Sequence, residues 1–594
     1  MTDTNHAYAG RADLKGNDDR IVGMTRLVIG LVQGLALYLL FRTTQGETGE
    51  TWSSRHPETF APLLLVGLFL PPVLLAGVGR LRWLTLGVWG VIAAAVLAFL
   101  AWHDVARQVE EVGRQPTPPM FAFSATALFI AHHLIVPADR ERKLIASYPA
   151  YFDAAWMAGV QLALSVAFAG AFWLLLFLGA ALFNIIGLSF LGDLIDQPWF
   201  SFPLTGLAFA TAVHLTDVRD GLIRGVRTVA LMLLSWLLLV LTVLVGGFLA
   251  ALPFTGLDGL WETGSATALV LAAAGGLIIL INAAYQDGRP DNLPPVVLRI
   301  AVRVASVLLT PLVIIAFWGL SLRIGQHGLT PDRIIAVACA LVGAAYAIGY
   351  GLGALVPFVR RGSPWMKALE TTNIVTAVLE VAVILALFTP LADPARLSVA
   401  DQVARLERGK VAPDKFDYAF LQNGSGKTGR AALARLAASS DAAIAAPARQ
   451  AQAGIFTTDE PAEADVKPII GTLPGAPALP EPFFQIVGGP GDARASCLVA
   501  GDCIAALGPS LGFPQGDVLL VQRGMISLFT EDAKYGTWWP QGFYSPVTCE
   551  GQPAVDARDL LRQGKLRAAD NDRPALNTGS GVPSERIAVP DPKC

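Results

Sequence analysis

The chain has 594 residues, 53% of them hydrophobic and only 15% charged, with a mean hydropathy of +0.52. A soluble protein of this size carries roughly 25% charged residues, so the composition points to a membrane. The net charge of −3 argues against a nucleic-acid partner, which needs a concentrated basic face.

A bilayer core of about 30 Å needs roughly 20 apolar residues as helix. Eleven runs meet that need, at about 22–41, 60–78, 84–102, 119–137, 154–183, 200–216, 228–251, 265–285, 302–322, 334–356 and 374–391. They are continuous rather than alternating, which favours helices over barrel strands. The fifth is long enough to tilt or overrun the interface, and the sixth is short. The first 20 residues are polar, and the run at 21–41 ends without a small-x-small cleavage site, so it reads as a retained span.

Orientation follows from the Lys/Arg bias of the short loops. With the N-terminus inside, the inner segments hold 16 such residues, among them Arg80, Arg82, Arg140, Arg142, Lys143, Arg224, Arg289, Arg360, Arg361 and Lys367. The outer loops hold 6: Arg42, Arg55, Arg107, Arg114, Arg323 and Arg333. Eleven spans then put everything after Ala392 outside the cytoplasm. Of five cysteines, Cys339 lies in the tenth span, whereas Cys497, Cys503, Cys549 and Cys594 all lie in the tail. An even number in an oxidising compartment suggests two disulfides. Three pairings are open; Cys497–Cys503 with Cys549–Cys594 is one of them.

The tail begins as helix, with Val399, Val403 and Leu406 at helical spacing and an Ala/Leu-rich stretch at 431–446. Residues 453–481 read as a linker. Short β-type runs follow at 483–487, 518–522 and 525–529, with Arg523-Gly524 as a hairpin turn. The expected fold class is an α-helical polytopic membrane domain of about eleven transmembrane helices followed by a smaller extracytoplasmic α+β domain. The expected boundaries are a cytoplasmic tail at 1–21, the membrane domain at 22–391, a helical connector at 392–452 and a β-rich, disulfide-bonded module at 453–594.

Gly424-Ser425-Gly426-Lys427-Thr428-Gly429 looks like a phosphate-binding loop, but the glycine required five residues before Gly426 is Leu421. No buried strand precedes it either. It reads as a turn between helices, with no nucleotide. All seven histidines precede residue 392, so the tail by itself holds no Ser-His-Asp triad and no His-ligated zinc. His56, His103 and His327 fall in outer loops, where scattered histidines are commoner than ligands.

Glu380 stands inside the eleventh span. A carboxylate at a helix centre costs about 2.5–3.5 kcal/mol on insertion scales, so such acids face a partner or a cavity. Asn373, Thr376 and Glu380 are spaced i, i+3, i+7 and share a face. Glu380 is either a protonatable group in a solute path or half of an interhelical contact, with Arg303 or Asn282 as partner. Other polar residues collect at the inner helix ends: His132, His133, His214, Asp217, Asn282, Tyr285, Gln286 and Asp287. With Glu380 they would line any pocket open to the cytoplasm. Gly349 and Gly353 form a GxxxG close-packing face in the tenth span.

The stretches SLRIGQHGLTPDRIIAVACAL at 321–341, FPLTGLAFATAVHLTD at 202–217 and KFDYAFLQNGSGKTGRAALARLA at 415–437 resemble an uncharacterised bacterial membrane family, domain of unknown function 4153. The resemblance runs from the second or third span to about residue 520. It implies a multi-pass protein of the bacterial inner membrane, reads the last stretch as helix–turn–helix, and imports no active site.

Three functions remain open. The first is a non-enzymatic envelope protein whose outer module assembles, senses or docks a protein partner. The second is a proton- or solute-handling transporter using Glu380. The third is a membrane enzyme acting on lipid or cell-wall precursors, for which His103-Asp104 is the one outer pair. No catalytic residue, cofactor or metal ligand is assigned, and the lipid bilayer is the one firm partner.

Overall fold

The structure, a computed structural model, describes residues 3–45, 51–109, 114–218, 220–256, 266–359, 364–453, 470–472, 478–480, 483, 503–511, 513, 516–522, 526–532, 537–544 and 556–563. Contacts divide the chain into two units, Met1–Ile455 and Phe456–Cys594.

The first unit is helical. Its elements are α1 (Asp3–Arg42), α2 (Trp52–Arg55), α3 (Pro57–Gly77), α4 (Trp83–Ala106), α5 (Pro118–Glu141), α6 (Tyr148–Ile185), α7 (Phe190–Ile195), α8 (Pro198–Val218) and α9 (Asp220–Thr255). Then follow α10 (Ala266–Tyr285), α11 (Val296–His327), α12 (Pro331–Val359), α13 (Ala368–Leu387), α14 (Pro394–Glu407), α15 (Gly426–Ala437) and α16 (Ala442–Gln452). Every run expected to span coincides with one of these helices. Among the described residues, ten are long and apolar enough to cross a membrane. The expected span left outside these ten is α8, which has the length but not the composition: Pro203, His214 and Asp217 dilute its apolar run.

Small residues place α8 against α1. A Cβ on Gly30 would collide with the backbone oxygen of Gly206, and one on Gly34 with the backbone at Phe202 and Pro203. Gly23 meets the His214 ring, and the rings of Phe41 and Phe202 lie 5.4 Å apart. The two helices are therefore antiparallel along the whole apolar part of α1. Small faces of this kind let backbones approach where burial against lipid drives nothing. The GxxxG face in α12 behaves likewise, with Gly349 closed by Thr372 and Gly353 by Leu369 of α13.

Two apolar clusters form the core of this unit. One joins α3, α4 and α5 to the start of α12 and the end of α13, through Leu65, Leu97, Leu128 and Leu387. The other joins α6, α9, α10, α11 and α12 through Phe152, Leu238, Leu277, Leu309 and Tyr350. Helix α13 contributes to both, with Leu369 in the second cluster and Ile384 in the first. Large apolar side chains such as Leu84, Leu174, Val243 and Ile348 face outward, as helices solvated by lipid require.

The segment read as a connector packs within the first unit. Asp393 caps α14 by accepting from the Ala395 amide at 2.9 Å. Asp401 accepts from the Leu329 amide at 2.8 Å, and Arg405 reaches the last carbonyls of α11 at Ile324, Gly325 and Gln326. Helix α14 thereby closes the α11–α12 turn.

The second unit holds a five-stranded sheet in chain order: β1 (Ile470–Thr472), β2 (Cys503–Leu507), β3 (Asp517–Val521), β4 (Ile526–Asp532) and β5 (Thr537–Tyr544). β1 pairs parallel with β2, and the rest is an antiparallel meander. The expected runs at 518–522 and 525–529 become β3 and β4, paired from Val521 with Ile526; the turn itself lies outside the described residues. Phe483, expected in a strand, is buried in a helical conformation against Phe529, and residues 484–487 lie outside the described residues. Both sheet faces are covered: Cys503, Ala505 and Val518 pack under Phe483, while Ile504, Leu519 and Val521 pack under α17 (Ala557–Arg562). Two-sided burial explains why β2 and β3 read as continuous apolar runs rather than alternating ones.

Candidate functional site

A cavity of about 690 Å³ lies between the two helical clusters, walled by α5, α6, α10, α12 and α13. Most of its wall is apolar or aromatic, including Phe123, Phe129, Phe152, Trp156 and Ile278. Its volume falls in the range of about 300–1,000 Å³ typical of small-molecule sites.

Helix α13 brings the polar groups. Asn373 and Glu380 lie seven residues apart, two turns along one face, and both line the cavity. Asn373 Nδ2 donates to Asn282 Oδ1 at 2.6 Å and to the Tyr148 hydroxyl at 3.1 Å. Tyr350 donates to Asn373 Oδ1 at 2.5 Å, and Asn282 Nδ2 donates back to the Tyr350 oxygen at 2.7 Å. Four helices are thus joined in a polar ring whose groups satisfy one another, the condition on which buried polar groups are stable.

Glu380 stands apart from that ring. Tyr346 donates to its Oε1 at 3.1 Å. Among the described residues Oε2 accepts no hydrogen bond and is not sealed off, and Glu380 lines the cavity. The expectation of Arg303 or Asn282 as its partner is corrected: Asn282 is engaged by Asn373, and Arg303 Nε is buried without a hydrogen bond. Thr376 does not line the cavity; its hydroxyl donates to the Thr372 carbonyl at 2.7 Å. His133 does line it, with Nδ1 at 2.6 Å from the Phe129 carbonyl as donor, which leaves Nε2 as the acceptor. Cys339 is a free thiol on the cavity wall.

The other polar residues expected beside Glu380 belong elsewhere. Asp217, at the end of α8, accepts from Arg26 of α1 at 2.6 Å and from Arg80 of the α3–α4 turn. Arg80 also donates to Gln161 of α6 at 2.8 Å, and Gln161 donates to Thr216 at 3.2 Å. His214 packs on Gly23, His132 accepts from Trp89 Nε1 at 3.2 Å, and Tyr285 donates to Glu370 at 3.1 Å. These helix-end residues therefore form several separate contacts, and one pocket does not gather them. Arg26 was legible in the sequence as a charge within the first apolar run, where only a buried partner tolerates it. Tyr148, Tyr346 and Tyr350 carried no signal, since a tyrosine in a span is ordinary until other helices surround it.

His103 and Asp104 make contacts at the end of α4. Asp104 is fully buried and accepts from the Thr117 amide at 2.6 Å and from Arg107, pinning the α4–α5 loop, while His103 lies 3.9 Å from Asp393. No group of three or more His, Cys, Asp or Glu that could hold a metal ion occurs among the described residues. The GSGKTG stretch is a turn: a π-helical segment at Phe420–Gly424 passes through Ser425 into α15, and the Lys427 amide donates to the Arg107 carbonyl at 2.9 Å. Cys503 opens β2, buried and disulfide-bonded. Cys497, Cys549 and Cys594 lie outside the described residues, and so does the pairing.

Residues 60–436 match the model of a family described as a domain of unknown function, DUF4153. The chain belongs to that family. The match runs from α3 to α15, so it ends well before the expected residue 520 and leaves out the second unit. It covers every wall of the cavity. No curated protein and no solved structure matches the chain.

Proposed function

We propose that the helical unit handles a small, largely apolar solute within the bilayer, as a carrier or receptor without catalysis, and that Glu380 is its polar contact. The observation that carries this is the open Oε2 of Glu380 on the wall of a 690 Å³ cavity. The test is a strain lacking the gene, complemented at matched protein levels with wild type or Glu380→Gln. Loss of function in a variant that accumulates normally supports the reading; full rescue makes Glu380 structural and sinks it.

The same proposal places the protein in the bacterial inner membrane, N-terminus in the cytoplasm and second unit in the periplasm. Three features support it: the Lys/Arg bias, the disulfide on Cys503, and α8. Lying antiparallel to α1 over its apolar length, α8 crosses wherever α1 crosses. Its 21 residues reach about 31 Å, the thickness of the bilayer core. That restores an odd number of crossings. A reporter that folds only in an oxidising compartment, fused after residue 455, should be active; activity only from a cytoplasmic reporter at that point overturns the placement.

A second reading, envelope docking or sensing through the outer unit, is favoured by that unit's own two-faced core. Removing residues 456–594 should then abolish function while the helical unit still accumulates in the membrane.

A further inference from the structure

Resting on the cavity reading above, we propose that the occupant is a lipophilic cation: an ammonium, phosphonium or similar positive centre on an apolar body. Three observations converge. The first is charge. Glu380 is the one formally charged residue on the described cavity wall, which carries no lysine or arginine. Arg227, whose guanidinium lies 5.3 Å from the ring centre of Phe152, is not on that wall and is already paired with Asp153 at 2.6 Å. An anionic headgroup would meet an uncompensated carboxylate with no cation to receive it. A positive centre would meet one with an open oxygen.

The second is the wall. Phe129, Phe152, Trp156, Tyr148 and Tyr346 line the same space. Aromatic faces attract cations through their quadrupole, by about 2 kcal/mol or more when the contact is desolvated. They accept a delocalised organic cation without the directional ligands that a small metal ion needs. The third is the hydrogen-bonding inventory. The ring of Asn282, Asn373, Tyr148 and Tyr350 is internally satisfied and offers little to a polyhydroxylated solute. What remains open is one carboxylate oxygen and apolar surface.

The charge term can be isolated with an isosteric pair. Full-length protein in uncharged-lipid nanodiscs is titrated with tetraphenylphosphonium, with tetraphenylborate of the same shape and opposite charge, and with neutral triphenylphosphine oxide, each against empty nanodiscs. The expected result is saturable binding of the phosphonium alone, weakened at least tenfold in Glu380→Gln and abolished by Ala377→Trp, which fills the cavity one turn from Glu380. Equal or tighter binding of the borate overturns the proposal, and so does phosphonium binding that ignores Glu380→Gln in a folded variant. If Glu380→Gln does not accumulate, the isosteric pair on wild-type protein decides alone. A neutral or anionic probe that binds and is blocked by Ala377→Trp leaves the cavity reading standing and removes only the cation. No probe sensitive to Ala377→Trp removes both.

Discussion

Arg26 of α1 and Asp217 of α8 meet at 2.6 Å, with the arginine side chain only 1% exposed. Arg80 binds the other oxygen of the same carboxylate, so one acid serves two guanidiniums. Removing the acid leaves both arginines facing each other, one of them buried. Asp217→Asn should therefore cost about 3–5 kcal/mol. Arg26→Met should cost less, because Asp217 keeps Arg80 and the unpartnered Nε and Nη1 of Arg26 disappear. Urea unfolding in micelles gives the order; the reverse order would mean that Asp217 does not hold the pair.

Gly206 and Gly30 set how closely α8 approaches α1. Adding one methyl at Gly206 drives it into the Gly30 carbonyl, and overpacking of this kind costs about 1–3 kcal/mol. Gly87, inside α4 with nothing within 4 Å of its Cβ position, is the control. There alanine removes only the helix penalty of glycine and should stabilise by up to about 1 kcal/mol. Thermal midpoints of Gly206→Ala and Gly87→Ala should move in opposite directions.

The Asn373 ring and the Glu380 contact should separate by mutation. Asn373→Leu removes three hydrogen bonds at once, those to Asn282 and Tyr148 and the one from Tyr350, each worth about 0.5–1.5 kcal/mol. Tyr346→Phe removes one hydrogen bond to Glu380 and should cost about 0.5–1.5 kcal/mol. Chemical denaturation should show the first as a large loss and the second as a small one. Similar losses would mean that the ring does not act as a unit.

Arg405 ties α14 to the end of α11 through three carbonyls at 3.0–3.4 Å. A cation there also complements the negative end of the helix dipole. Arg405→Met keeps much of the stem and loses the head, which should cost about 1.5–3 kcal/mol. Limited proteolysis near residues 325–330 should accelerate in that variant. Unchanged cleavage would show that Asp401 and Gln402, whose amide donates to the His327 and Leu329 carbonyls, hold the turn without it.

How much was legible varied by residue. Glu380 announced itself because a carboxylate in an apolar run is expensive, and the expense is paid locally in sequence. Asn373 joined it by simple helical spacing. Thr376, equally well spaced, turned to its own backbone, since a hydroxyl can satisfy itself on the preceding turn. Asp217 and His214 were grouped with Glu380 because the expected topology put all three toward the same side; position along a helix is legible, but which helices lie side by side is not.

By itself the sequence determined the helical class, the approximate position of each span, the two adjoining strand runs of the tail and the nature of the GSGKTG turn. Each of these depends on runs and periods of neighbouring residues. Only the tertiary structure decided that α8 lies along α1, that Glu380 pairs with Tyr346, and that five helices leave a cavity beside it. Those outcomes depend on which faces meet. In a membrane, where lipid solvates every apolar face alike, that choice falls to small residues and polar partners distant in the chain.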